Sequence, residues 1–371
     1  MQIDFHHTVT YTLARLAGFQ HKESCVIAYS AQYVDDATNG GKIQFANHAP
    51  YDHIASAHPV IPTSMQEAGE FTGNFNNALN AEAWIPFHFL PGNGGLPAGQ
   101  GNEDPMIRRL ICQPDSHVAK RMVEACLAAK SRPNGLHRLG ITAHVFADTF
   151  VHFDFVGLKD EINRVQHLLH DAEEGFHAYE EDAESKVLGA LPLGHGMVLT
   201  LPDQPFRKWG YVDRDGNPKI RENQVLFMQA CERLLDVLCY HRGESGGTLL
   251  DRDRALLRWA FAAFMDGDEK ARHSAWMDLL AGKSDGLAFS FGSLSEPEVE
   301  TLRYMPKGQG SWKFAALGTE KAVDDADDVF TWTDKFEVSD WKLFHDALKE
   351  HRTEVMDTIL AQEFGLRVSP S

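Results

Sequence analysis

Residues 137–152, HRLGITAHVFADTFVH, constrain this chain more than any other stretch. His144, Asp148 and His152 recur every four residues. On an α-helix of about 3.6 residues per turn they form one stripe, with successive members about 6 Å apart along the axis. His137 falls on nearly the same stripe, and Ile141, Val145, Phe146, Phe150 and Val151 supply apolar flanks. Such a stripe holds a metal, makes buried hydrogen bonds, or forms a surface ion-pair ladder. Three N and O donors at this spacing, in a chain with 19 histidines, favour the metal.

Imidazole with carboxylate suits zinc, and a stripe longer than one turn can serve two ions about 3.5–4 Å apart, shared through Asp148. One helix cannot complete those coordination spheres, so ligands must come from elsewhere. His6 and His7 open the first helix, and Asp35 and Asp36 close the second, where adjacent carboxylates repel unless a cation lies between them. His58 is the better ligand candidate in its loop. His48 and His53 read as surface residues, and His88 as a core residue or one supporting the ligands. His195, between Gly194 and Gly196, sits where a backbone or ligand can approach closely, and Asp203 follows it. A charge-dense stretch carrying His167, His170, Asp171 and Glu174 reads first as a solvated surface. Residues 213–218, DRDGNP, lack the spacing and terminal Glu of an EF-hand and read as a tight turn.

The rest of the chain reads as helices joined by long polar loops. Periodicity predicts helices over about 5–18, 23–36, 116–131, 135–153, 160–186, 221–242, 250–281 and 339–364, with few short strands. Gly, Pro, Asn and His crowd 37–62 and 85–105, which predicts loops, as do the prolines and glycines of 191–209. The expectation is a mainly α protein: a metal-binding helical core over 1–244 with a helical region over 245–371 packed on it.

Composition narrows the function. With 35 Lys+Arg against 53 Asp+Glu the net charge is −18, which argues against holding duplex nucleic acid along a basic face. The five cysteines are scattered without a CxxC pair, so they read as buried reduced thiols. The opening residues show no signal peptide and no apolar run spans a membrane, so the expected location is cytoplasmic, or exported without a signal peptide.

In order along the chain, residues 3–6 (IDFH), 31–36 (AQYVDD), 56–58 (SAH), 84–89 (WIPFHF), the His144–Asp148–His152 stripe and 193–196 (LGHG) with Pro202 and Asp203 resemble an uncharacterised bacterial family distantly related to the zinc-dependent phospholipase C and single-strand-specific nuclease superfamily. The resemblance covers roughly the first 210 residues. It implies an all-α enzyme with two or three zinc ions. Asp36, His58, His144 and Asp148 would hold one zinc, His152 and His195, with Asp203 nearby, a second, and His6 with Asp148 a third; His167 and Asp171 are the alternative completion of the second site. It also implies hydrolysis of a phosphoester by a metal-bridged hydroxide, with Asp36 or Asp35 orienting or deprotonating the water. The expected substrate is a small phosphoester or phospholipid head group, and a second copy of the chain is the candidate protein partner. The alternative is a non-catalytic helical scaffold or interaction protein with a structural His/Asp metal site.

Overall fold

A computed structural model describes residues 1–58, 72–172, 175–178, 191–284, 286–295, 297–325 and 327–364, with the side chains of 170–172 and 175–178 left aside. Helices dominate. A π-helical turn, Asp4–Val9, runs into α1, Thr10–Leu16. Helix α2, His21–Asp36, starts at a capping box in which the Gln20 amide donates to Glu23 Oε2 at 2.8 Å. Strands β1 (Gly41–Phe45) and β2 (Tyr51–His53) follow in a stretch that reads as loop in the sequence. Next come α3 (Asn77–Phe87), capped by the Asn76 side chain, α4 (His117–Ala128), capped by Ser116, and α5 (Gly135–Asp148), which carries His144 and Asp148 but ends before residue 153, so that His152 lies in the turn that follows.

The helix expected over 160–186 is not found among its described residues. They form β3 (Gln166–Ala172) and β4 (Gly175–Ala178), antiparallel neighbours in a sheet with β5 (Lys208–Val212) and β6 (Pro218–Glu222), in the order β4-β3-β5-β6. Pairing with β5 supplies backbone partners that outweigh the local helical spacing of charged residues. Helix α6, Asn223–Arg242, follows. The single helix expected over 250–281 is two, α7 (Asp251–Ala263) and α8 (Glu269–Leu280). Helix α9 (Trp312–Leu317) precedes β7 (Val329–Phe330), which pairs in parallel with β1. Helix α10 (Asp340–Thr353) continues through a π-helical turn, Glu354–Leu360, to Phe364. Among the described residues no helix is long and apolar enough to cross a membrane.

The largest apolar cluster draws on Phe5, Ile27, Leu139 and Phe146 as well as Phe261, Trp276 and Ile359, so side chains from both sides of residue 244 share it. The ring of Phe5 lies 5.4 Å from Phe227 and 6.4 Å from Phe261. Beneath this core sits a fully buried ion pair, Asp4 Oδ2 to Arg272 Nε at 2.8 Å, which ties the first turn to α8. Helices α2 and α5 pack against each other at Gly140, where a Cβ would lie 2.4 Å from the Ile27 carbonyl oxygen. That approach brings the end of α2 beside the stripe on α5.

Candidate metal centre

Asp148, the last residue of α5, is the hub. Its Oδ1 lies 3.2 Å from Nε2 of His6 and 2.6 Å from the Met1 amino group. Its Oδ2 lies 3.2 Å from Nε2 of His144, and 3.5 Å from both Nδ1 of His88 and Nδ1 of His152. Nε2 of His152 is 3.1 Å from Asp203 Oδ1, and Nε2 of His195 is 3.7 Å from Asp203 Oδ2. Asp35 Oδ1 stands 3.8 Å from both His88 Nδ1 and His144 Nε2. Among the described residues three donor sets result: His6, His144 and Asp148; Asp35, His88 and His144; His152, His195 and Asp203. Within each, the ligand atoms lie within 4.8 Å of one another. Nearly all are buried, but the side chains of Asp35 and His195 are 31% and 19% exposed, so the cluster opens to solvent at those two.

Backbone carbonyls fix the rings. His144 Nδ1 donates to the Ala31 carbonyl at 2.8 Å, His195 Nδ1 to Leu199 at 2.8 Å, and His88 Nε2 to Ser56 at 3.1 Å. A carbonyl only accepts, so each of these nitrogens carries the proton and the other presents a lone pair to the cluster. Leu199 adopts φ 55°, a conformation few residues other than glycine take, and this turns its carbonyl toward His195. Gly194 is needed on the other side, because a Cβ there would meet the Phe89 ring at 2.3 Å.

The donor set suits a cation. Nε2 of His144 and Nδ1 of His88, both unprotonated by the preceding argument, face each other at 3.3 Å. Buried and with no proton between them, two lone pairs so close repel unless a positive ion intervenes. Both ring nitrogens of His6, and Oδ2 of Asp148, are likewise buried without a hydrogen-bond partner.

Protonation follows the same pattern. Burial pushes the imidazoles down, His88 and His195 to about 4, His6 well below its ordinary value and His144 below it too. Burial alone would raise Asp148, but His152, the Met1 ammonium, His144 and His6 outweigh it and hold the carboxyl well below the usual range. Asp203 is depressed in the same way, burial being outweighed by the Met1 ammonium, His195 and His152. Burial opposes the charge on Met1, yet Asp148, Asp203 and Asp35 raise its amine to about 11. Asp35 goes the other way, held well above the usual range by burial and by Asp148. Neutral imidazoles beside ionised Asp148 and Asp203 are the states in which these groups ligate a metal.

The structure thus brings together His6, Asp35, His144, Asp148, His152, His195 and Asp203. It does not bring Asp36 or His58. Asp36 accepts from the Tyr304 hydroxyl at 2.6 Å and from Gln32 Nε2 at 3.1 Å, because adjacent helical residues point about 100° apart. His58 Nε2 sits 3.5 Å from the Leu79 carbonyl, and its ring centroid is 6.1 Å from Trp84. His88 takes the position expected of His58. The Met1 ammonium, 2.6 Å from Asp148 Oδ1 and 3.1 Å from Asp203 Oδ1, is a charge in the cluster that side-chain spacing cannot reveal. His137 leaves the stripe for Asp340, 3.0 Å away. His167 is exposed, and the side chain of Asp171 lies outside the described residues.

No curated protein and no solved structure matches the chain. The family of unknown function DUF6765 matches residues 1–359, and the chain belongs to it.

Proposed function

We propose that this member of the family is a zinc-dependent hydrolase of phosphoester bonds, phospholipase C-like or a phosphodiesterase. The observation that carries the reading is the facing pair of unprotonated nitrogens on His144 and His88, with Asp35 and Asp148 beside them. The three donor sets would hold two or three ions, with His144 common to two of them and Asp148 reaching His88 and His152 from the other sets. Bound zinc polarises a phosphoryl oxygen and lowers the pKa of water.

The chain's own groups do the rest. Asp148 and Asp203 stay ionised and balance the charge of the ions. Asp35 lies at the open edge of the cluster, where its carboxylate can orient an attacking water and accept its proton. Phe89, whose ring centroid is 5.0 Å from His152 and 5.7 Å from His195, shields the far side from water. Structural zinc sites are typically closed and rich in thiolate. Here the donors are nitrogen and oxygen, the edge is open, and no cysteine joins the donor sets among the described residues. A small phosphoester or phospholipid head group is the substrate class that fits an acidic protein whose local charge the ions would offset.

The test is metal content by elemental mass spectrometry, alongside hydrolysis of a chromogenic phosphodiester and of phosphatidylcholine. Wild type should carry two or three zincs and hydrolyse one of the two; folded His144→Ala and Asp148→Ala should lose zinc and activity together. Zinc without hydrolysis would leave the scaffold reading standing, and activity in metal-free variants would overturn the proposal.

A further inference from the structure

Asp35 is the most exposed of the donors and stands on the last turn of α2, with Oδ1 at 3.8 Å from both His88 Nδ1 and His144 Nε2. A side chain so placed is free to swing toward water, and holding it in one rotamer costs entropy. Backbone carbonyls fix the rings of His88 and His144. Something else must fix this carboxylate.

Its second oxygen is held from within α2. The Gln32 amide, three and four residues earlier on the same face, donates through Nε2 to Asp35 Oδ2 at 3.4 Å and to Asp36 Oδ2 at 3.1 Å. An amide oxygen has no proton to give, so the two carboxylates settle which end of the amide faces them. Gln32 Oε1 is consequently left buried without a hydrogen-bond partner, a cost that an apolar side chain at this place would avoid. Asp36 is fixed in turn by the Tyr304 hydroxyl, which donates to Oδ2 at 2.6 Å. Tyr304 belongs to the segment between α8 and α9 and packs on α2 with its ring 4.7 Å from that of Tyr29. One line of hydrogen bonds therefore runs from the C-terminal region through Asp36 and Gln32 to Asp35.

We infer that Gln32 and Tyr304 are positioning residues of the centre, which hold Asp35 with Oδ1 turned toward His88 and His144. The inference rests on the reading of the Asp35, His88 and His144 set as a metal site. It gives the C-terminal region a part in that site through Tyr304. A merely structural role is different: a donor that only eases two carboxylates at the negative end of a helix acts on folding, whether or not Asp35 is a ligand.

The experiment measures zinc affinity of the full chain by chelator competition and the visible spectrum of its cobalt-loaded form. Gln32→Met, which keeps length and loses the donor, and Tyr304→Phe are compared in the wild-type and Asp35→Ala backgrounds, with urea unfolding of each metal-free protein. Expected in Gln32→Met are a loss of about 10–100-fold in affinity at one site, as removal of a partner behind a ligand gives, and an altered cobalt spectrum. Tyr304→Phe should lose less, and neither change should cost anything further once Asp35 is alanine. Wild-type affinity and spectrum in Gln32→Met, or the same loss with and without Asp35, would overturn the inference. Failure of the wild type to take up either metal would overturn it together with the metal reading. Hydrolysis is not read, so a centre that binds zinc and hydrolyses nothing still decides the matter. If Gln32→Met does not fold, Tyr304→Phe in the two backgrounds carries the same test.

Discussion

Nε2 of His144 and Nδ1 of His88 face each other at 3.3 Å with their protons on the opposite sides of both rings, one held by the Ala31 carbonyl and the other by Ser56. Neither ring can turn without giving up that bond, so the pair is poised for a cation. Replacing His88 should therefore weaken zinc by about 100-fold or more, beyond what loss of an outer supporting partner costs. His58→Ala should leave the affinity unchanged. Competition titrations with a chromophoric chelator decide it, and equal losses in the two variants would contradict the arrangement.

Gly140 sets how closely α5 approaches α2. A methyl group there would meet the Ile27 carbonyl at 2.4 Å, a backbone atom that cannot swing aside. Gly140→Ala should cost about 1–3 kcal/mol in urea unfolding. It should also lower zinc affinity, because Asp35 and His144 sit on the two helices it would part. Unaltered stability would show that the helices shift without strain.

Asp4 and Arg272 form a fully buried pair beneath the turn that carries His6. Arg272→Met strands a buried carboxylate and should destabilise the fold by about 3–5 kcal/mol. Adding Asp4→Asn should recover a good part of that loss. A double-mutant cycle on unfolding free energies measures the coupling, and additive effects would mean the pair does not act as a unit.

His241 is buried, its Nε2 has no partner, and burial with Lys130 nearby lowers its pKa to about 4. A histidine whose folded pKa is depressed contributes stability that is whole above the unfolded value near 6.5 and is lost as pH falls through the folded value. From pH 7.5 toward pH 4, wild type should therefore lose stability relative to His241→Leu, by up to about 3 kcal/mol at full titration. Urea unfolding of both proteins across that range tests the sign. A constant difference would show that His241 titrates alike in both states.

How much was legible in the sequence depends on whether a feature is local. The i, i+4 stripe of His144 and Asp148 is local, and periodicity locates its helix within a few residues. The choice of Asp35 over Asp36 depends on how α2 is rotated against α5, which Gly140 decides from another helix. His58 and His88 both follow short apolar phrases; they differ only in where the chain later carries them, and His88 reaches the cluster because its far nitrogen finds Ser56. Residues 166–172 have helical charge spacing, but β5, some forty residues on, gives them a ladder. Local patterning cannot register a partner that distant.

The adjacency of Asp35 and Asp36 has a consequence for how this helix can change. One carboxylate looks into the donor cluster and its neighbour toward the Tyr304 hydroxyl. Inserting or deleting a single residue within α2 upstream of this pair would turn the helix end by about 100° and advance it by about 1.5 Å. An insertion would carry Asp35 into the place of Asp36 and leave the donor cluster without this carboxylate, whereas a deletion would carry Asp36 into the place of Asp35 and leave the Tyr304 hydroxyl without its acceptor. The length of α2, and not only the identity of its residues, is thus part of what specifies the centre, and point substitutions are far better tolerated there than changes of length.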